Sequence, residues 1–139
     1  MTTQRDRSGM QILTGLDELR RLPGYVYLAT PYSKYPDGIE VAYVLACDLS
    51  ETLKAAGIRH YCPIAMTHVM AQLAGLDPLS HDFWLTVDRP FMAGAAALVV
   101  VGMDGWDTSV GIIAERAYFG AAGKPIYFID PAVLIGESV

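Results

Sequence analysis

Short apolar runs alternate along this chain with longer stretches in which apolar residues recur at helical spacing. Four runs have the length and the β-branched or aromatic content of strands: Tyr25–Ala29, Ile58–Pro63, Ala97–Val101 and Lys124–Ile129. Ala97–Val101 is the most continuous of them, and an unbroken apolar run is typical of a strand that is covered on both faces. The pattern therefore predicts at least four buried strands.

The segments between these runs are predicted to be helical. The clearest has apolar residues spaced three and four positions apart from Ile39 to Ala56, followed by Gly57, a residue that commonly ends helices. Pro90 is expected to break or restart the helix that carries it. The other predicted helices are Thr14–Leu22, Met66–Leu73, a segment from Ser80 through Val87, and Ser109–Ala122.

Strands that alternate with helices predict an α/β fold with a parallel sheet. Right-handed crossovers give a doubly wound, flavodoxin-like (Rossmann-like) sheet of four to five strands in three layers. Residues 1–139 are expected to form one domain with its core at about 24–131 and a loose segment at 1–9. Ligands of such sheets bind beyond the carboxyl ends of the strands. The loops at those ends are residues 30–35, 63–67, 102–109 and 130–131.

Composition narrows the class of protein. Of the 139 residues, 53% are hydrophobic and 18% are charged, as in a globular domain. The longest uncharged apolar stretch, Phe91–Met103, is shorter than the roughly 18 to 20 residues of a membrane span. A net charge of −5 with dispersed Lys and Arg argues against a nucleic-acid partner. Without a signal peptide or a CxxC pair, and with Cys47 and Cys62 interpreted as ordinary buried residues, a cytoplasmic location is expected.

The segment from Gly105 to Glu115 carries the strongest chemical signal. It leads from a buried strand through a loop to Ser109, which is suited to cap a helix. Gly111 would let a ligand approach the first turn, where free N–H groups attract anions. Glu115 lies one turn further along the same face. The same pattern also fits a capped amphipathic helix with a solvated glutamate.

Two further residues favour a functional site over a simple amphipathic helix. Tyr27 lies in the first predicted strand, where its phenol could hydrogen-bond a carboxylate, although a core tyrosine fits as well. Asp88 precedes the most apolar strand and could instead cap a segment that begins at Arg89. His60, His68 and His81 lack the spacing of metal ligands, so neither a metal nor another cofactor is expected.

In its motifs the chain resembles the nucleoside 2-deoxyribosyltransferase superfamily, which includes deoxynucleoside-monophosphate N-glycosidases. The resemblance rests on the order of four motifs over roughly residues 25–130. They are Tyr27-Leu-Ala-Thr-Pro-Tyr32, Asp88 seven residues before Ala95, Ser109-Val-Gly-Ile-Ile-Ala-Glu115, and Gly123-Lys-Pro. Within that superfamily, the Ala29-Thr-Pro-Tyr32 loop and the Gly105-Trp-x-x-Ser-x-Gly111 stretch look most similar to an uncharacterised bacterial and phage branch. Thr30–Lys34 stands where the monophosphate hydrolases have a loop rich in glycine and arginine.

The resemblance implies a role for each matched residue. Glu115 corresponds to the nucleophile that attacks the anomeric carbon, Tyr27 to the tyrosine that orients it, and Asp88 to the acid that assists departure of the base. Ser109 corresponds to a phosphate-contacting serine. A carboxylate near a tyrosine and a helix start is expected to stay ionised. The residues expected to contact substrate are Thr30, Pro31, Tyr32, Trp106, Asp107, Ser109 and Gly111.

These implications lead to a functional hypothesis. The chain is expected to cleave or transfer at the N-glycosidic bond of a nucleoside or nucleoside 5′-monophosphate, as a hydrolase (glycosidase) or a transferase. The alternative is a non-catalytic nucleotide-binding or sensing module on the same fold. Aromatic residues that either stack on the base or belong to the core are Tyr32, Phe83, Trp84 and Trp106. The resemblance also implies a homodimer or a higher homo-oligomer.

Overall fold

Five parallel strands form one sheet in the computed structural model, which describes residues 9–137. The strands are β1 (Gln11–Leu13), β2 (Val26–Ala29), β3 (His60–Tyr61), β4 (Ala97–Val101) and β5 (Ile126–Ile129). They lie in the order β1-β5-β4-β2-β3, and every neighbouring pair is parallel. The predicted α/β fold class is confirmed. Residues 1–8, most of the segment expected to be loose, lie outside the described part.

The helices cover both faces of this sheet. They are α1 (Asp17–Arg20), α2 (Ile39–Ala55), α3 (Pro63–Ala74), α4 (His81–Gly94), α5 (Val110–Ala121) and α6 (Pro131–Glu137). Side chains of a strand point alternately to its two faces. In β2, Val26 and Leu28 pack in one apolar cluster with residues of α1, α2 and α6, whereas Tyr27 and Ala29 pack in a second cluster with residues of α4 and α5. The two clusters give the predicted three layers.

The first part of the described chain differs from the prediction. Residues 11–13 form an edge strand, which sequence patterning missed because Leu13 is the only buried residue of the three. The helix predicted at Thr14–Leu22 is reduced to the four residues of α1, and no side chain caps its start. Leu16 and Leu19 are both buried there. Packing of these leucines, rather than helix propensity, fixes this short turn.

Three prolines were misinterpreted. Pro63 and Pro131 begin α3 and α6, whereas both were predicted to lie in loops. A proline at the first helical position loses only an N–H that would have no partner there anyway. In α6, the Asp130 carboxylate also accepts a hydrogen bond from the Ala132 N–H at 2.9 Å. Pro90 neither breaks nor restarts its helix, because α4 continues through it to Gly94.

Tertiary contacts hold α4 together despite Pro90. An interior proline costs a helix about 3 kcal/mol. The last turn of α4 is anchored by Lys124, whose Nζ donates to the carbonyl oxygens of Met92, Ala93 and Ala95 at 3.2, 2.6 and 2.7 Å. A cation at a helix C-terminus is favourable because the carbonyls there have no helical partners. As a result Asp88 lies within a continuous helix, and its interpretation as a helix cap is wrong.

Close backbone contact joins two loops at the carboxyl edge of the sheet. Gly105 has φ +87°, and a Cβ built on it would lie 2.9 Å from the Lys34 carbonyl oxygen. A larger residue would meet both the backbone strain of positive φ and this contact. The loop after β4 is thereby held against the loop after β2, and both border the site described next.

Candidate active site

A cavity of about 170 Å³ lies at the carboxyl ends of β2, β3 and β4. The loop after β2, α3, α4 and the start of α5 form its walls. Asp88 and Glu115 both face it, and no lysine or arginine is among the described residues that line it. The lining residues are Thr30, Tyr32, Ser33, Pro63, Ile64, Thr67, Ala71, Pro78, Leu79, Trp84, Leu85, Asp88, Ser109, Val110, Gly111 and Glu115.

Glu115 lies in the second turn of α5, and only 8% of its surface is exposed. Removal from water disfavours the charged carboxylate and raises the pKa of Glu115 from 4.5 to about 8. The O–H dipole of Tyr27 opposes this effect, and the negative charge of Asp88 adds to it. Burial is the dominant cause, so Glu115 holds a proton at neutral pH.

Asp88 faces the same cavity from α4 and is also buried. Its carboxylate accepts a hydrogen bond from the Tyr61 hydroxyl at 3.1 Å. Burial raises the pKa of Asp88 to about 6, and the hydroxyls of Tyr61 and Tyr27 limit the rise because they favour the charged form. At neutral pH, Asp88 is therefore the ionised member of the two carboxyls.

Tyr27 lies next to both carboxyl groups and is not among the residues that line the cavity. It is fully buried in β2, beside Tyr61 in the adjacent register position of β3. Its hydroxyl makes no hydrogen bond of ordinary geometry to any described residue, yet it is close enough to influence the pKa values of both Glu115 and Asp88. Burial, followed by the two carboxylate charges, raises its own pKa. Tyr27 thus stays protonated and can donate to either carboxylate.

Burial contradicts the expectation that Glu115 stays ionised. The favourable field of a helix N-terminus falls off within the first turn, and Glu115 lies beyond it. Burial then outweighs the help of Tyr27. Between pH about 6 and about 8, Asp88 and Glu115 together carry one proton and one negative charge. This carboxyl pair contains one acid and one base at the same pH.

Three predicted residues reach the cavity, two from the start of α5 and Thr30 from the loop after β2. Ser109 caps the helix, and its Oγ accepts a hydrogen bond from the Ile112 N–H at 3.3 Å, as the sequence predicted. Gly111 lines the cavity, and a Cβ added there would touch only Ser109 Oγ, at 3.9 Å. Thr30 Oγ1 is buried and has no hydrogen-bond partner in the described chain. These groups leave hydroxyls and N–H groups available to a ligand.

Several predicted contacts fall outside the cavity. Trp106 is buried against Phe128, with ring centroids 4.9 Å apart, and belongs to the core. Neither Pro31 nor Asp107 lines the cavity, and Phe83 is exposed on α4. Substrate stacking on Trp106 and Phe83 is therefore not supported by this cavity. Trp84 does line it, with the indole N–H donated to the Asp77 carbonyl oxygen at 2.8 Å.

Sequence patterning missed other parts of the site. Tyr61, which donates to Asp88, could be found only from the register of β3 on β2. Residues 63–67 were placed at the ligand edge of the sheet, but as a loop, and neither Ile64 nor Thr67, which line the cavity from α3, was predicted to be a site residue. Within residues 9–137, no three His, Cys, Asp or Glu side chains cluster as metal ligands would. No helix in that range is long and apolar enough to cross a membrane.

The sequence of this chain matches a protein-family model. Residues 24–130 match the model described as Domain of unknown function (DUF1937). The chain belongs to this family. The DUF1937 region contains β2 to β5 and both members of the carboxyl pair, whereas β1 and α6 lie outside it. The comparison with curated proteins found no match.

The raised pKa of Glu115 predicts a specific dependence of stability on pH. In the unfolded chain this carboxyl ionises near pH 4.5, but in the folded protein it keeps its proton to about pH 8. Folding therefore takes up a proton in this range, and stability falls as pH rises, by up to about 1.4 kcal/mol per pH unit. Glu115→Gln has no proton to take up. We expect the variant to gain on the order of 3 kcal/mol relative to wild type between pH 5 and pH 8.

Urea unfolding at both pH values measures this difference. Glu51→Gln, at an exposed position of α2, is the matched control and should show no pH-dependent gain. A difference between wild type and Glu115→Gln that is the same at pH 5 and pH 8 would contradict the assignment.

Proposed function

We propose that this cavity binds a nucleoside or nucleoside 5′-monophosphate and catalyses cleavage or transfer at its N-glycosidic bond. The observation that supports this most is the carboxyl pair, two buried carboxyls of unequal pKa that face one cavity. Displacement at an anomeric carbon requires one carboxylate and one carboxylic acid at the same time. The resemblance in sequence motifs, described above, points to the same chemistry.

In the proposed reaction, the Glu115 carboxylate forms a bond to the anomeric carbon as the bond from that carbon to the base nitrogen breaks. The electron pair of the broken bond remains on the base, and Asp88 donates a proton to the base. Asp88 then removes a proton from water, or from an acceptor base, as this second nucleophile attacks the same carbon. The bond to Glu115 breaks, and both carboxyls return to their starting state.

This sequence requires the shared proton to be on Asp88 when the substrate is bound. The pKa values of the two carboxyls put it on Glu115 instead. Tyr27 lies beside both carboxyls and offers a path, since its hydroxyl can accept a proton from Glu115 as it gives its own to Asp88. A developing positive charge on the sugar would also favour the ionised form of Glu115.

The cavity is smaller than the roughly 300 to 1,000 Å³ of typical ligand pockets. We infer that it encloses the reacting sugar, and that other parts of the ligand extend toward its opening. The start of α5 is the proposed site for a 5′-phosphate, since its first N–H groups have no helical partners. None of the described residues that line the cavity is basic, so these N–H groups and the hydroxyls of Thr30 and Ser109 would hold the phosphate.

Free-base release from nucleosides and their monophosphates, followed by chromatography, tests the catalytic proposal. For a ligand that wild type turns over, Glu115→Gln and Asp88→Asn should each lower turnover by at least about 10²-fold, with ligand affinity little changed. Turnover of the double variant should be about as low as that of the less active single variant, because loss of either residue of a catalytic pair already removes the action of both. Asp82→Asn and Glu51→Gln are matched exposed controls and should keep full activity.

A 2-fluoro sugar analogue with a good leaving group should trap an adduct on Glu115, located by tandem mass spectrometry. An adduct on Asp88 would reverse the two roles. Undiminished turnover in Glu115→Gln would exclude the proposed mechanism. Tight nucleotide binding without any turnover would instead support the alternative of a binding module.

Substitutions at two glycines of α5 distinguish an effect on ligand binding from an effect on helix stability. A Cβ on Gly111 would project beside Ser109 at the cavity, whereas a Cβ on Gly120 would meet nothing within 4 Å and is exposed. Replacement of a helical glycine by alanine stabilises the folded state by about 0.5 to 1 kcal/mol. We expect both Gly111→Ala and Gly120→Ala to be stabilised, but only Gly111→Ala to bind a monophosphate at least tenfold more weakly.

Urea unfolding and calorimetric titration give the two quantities. If Gly111→Ala binds nucleosides and monophosphates as wild type does, the start of α5 is not the phosphate site.

A further inference from the structure

A second set of polar side chains leads from the cavity wall to the protein surface. The hydroxyl of Tyr32, which lines the cavity, lies 2.5 Å from Nδ1 of His68. Nε2 of His68 lies 3.0 Å from a carboxylate oxygen of Glu40, whose side chain is 64% exposed. We call these three residues the polar triad. The reaction proposed above makes no use of it.

The imidazole of the polar triad is held in one position. His68 lies in α3 and is only 2% exposed. Its ring stacks on Tyr43, with centroids 4.4 Å apart and an angle of 21° between the planes. Gln72 donates to the same Glu40 oxygen and so holds that carboxylate in place. A ring fixed in this way presents the same nitrogen to Tyr32 at all times.

The carboxylate determines where the hydrogens of the triad lie. A carboxylate only accepts hydrogen bonds, so the hydrogen of the neutral imidazole is on Nε2, and Nδ1 is an acceptor. The Tyr32 hydroxyl must then donate to Nδ1. Burial and, after it, the charge of Glu40 raise the pKa of Tyr32 to about 12, so this hydroxyl keeps its hydrogen. Any ligand group that reaches the Tyr32 oxygen meets only lone pairs.

Tyr32 lies beside the α3 wall of the cavity, of which Pro63, Ile64 and Ala71 are apolar and Thr67 is polar. Its partner His68 belongs to α3, which also contributes Ile64 and Ala71 to the wall, whereas the carboxyl pair faces the cavity from α4 and α5. With the sugar at the carboxyl pair, the planar base is the ligand part that suits this largely apolar wall.

We propose that Tyr32 is a specificity-determining residue that selects a nucleobase carrying an exocyclic amino group over one carrying a carbonyl oxygen at the same position. An amino group donates to the Tyr32 oxygen. A carbonyl oxygen would face another acceptor and would lose its hydrogen bond to water without replacement. This inference rests on the proposed function, because it assumes that the ligand is a nucleoside or nucleotide.

Affinities for matched pairs of amino and carbonyl ligands test this role of Tyr32. Dissociation constants for adenosine against inosine and for cytidine against uridine, each as nucleoside and as 5′-monophosphate, are measured in a Glu115→Gln background so that no ligand is consumed. At least one amino ligand should bind about tenfold or more tightly than its carbonyl partner. Tyr32→Phe should weaken that amino ligand and bring the ratio close to one.

A substitution of Glu40, the exposed residue of the polar triad, tests whether the triad acts by fixing the position of the hydrogen or only by holding Tyr32 in place. We expect Glu40→Gln to leave the fold intact because the side chain is 64% exposed. Its amide can donate to Nε2 and free Nδ1 to carry the hydrogen. Tyr32 can then donate to a carbonyl, so the amino preference should fall at least threefold. Glu51→Gln, on the same helix, should leave the ratio unchanged.

The possible results distinguish failure of this inference from failure of the proposed function. Equal affinities, a preference for carbonyl ligands, or an amino preference that survives Tyr32→Phe or Glu40→Gln would overturn the inference and leave the proposed function standing. Failure of every nucleoside and monophosphate to bind would overturn the proposed function, and this inference with it.

Discussion

Two carboxyl groups that are both removed from water cannot both stay ionised without a cation nearby. This constraint determines the protonation of the two carboxyls in the cavity of this protein. Among residues 9–137, no basic side chain lines the cavity beside Asp88 or Glu115. The pair meets the constraint by retaining one proton, and the unequal burial and hydrogen bonding of its members determine which one is charged. An acid and a base are thereby available at neutral pH without a metal ligand set among the described residues.

The fold supplies the positions that the pair requires. Tyr27 reaches both carboxyls because it points from β2 toward the layer formed by α4 and α5. Lys124 anchors the end of α4, the helix that carries Asp88, and Ser109 fixes the start of α5, the helix that carries Glu115. The carboxyls are thus held by two separately anchored helices that pack on one face of the sheet.

The sequence predicted features that depend on local signals. The apolar runs, the Ser109 cap and the placement of Glu115 on a helix that begins beside the β4 loop all follow from spacing and propensity. What the sequence could not give depends on contacts between distant segments. The position of Tyr61 next to Asp88 comes from strand register, the continuity of α4 through Pro90 from tertiary packing, and the protonation of Glu115 from burial. The polar triad likewise joins the β2 loop, α2 and α3, which no periodicity relates.

The most direct test of this account is a titration of the two carboxyls by ¹³C NMR with labelled Asp and Glu side chains. Wild type should show one carboxyl step near pH 6 and another near pH 8, assigned by their loss in Asp88→Asn and Glu115→Gln. In Asp88→Asn the remaining step should move to lower pH, because the charge that opposes ionisation of Glu115 is gone. If both carboxyls titrate near pH 4, and neither responds to the loss of the other, they are not a coupled pair and the account is wrong.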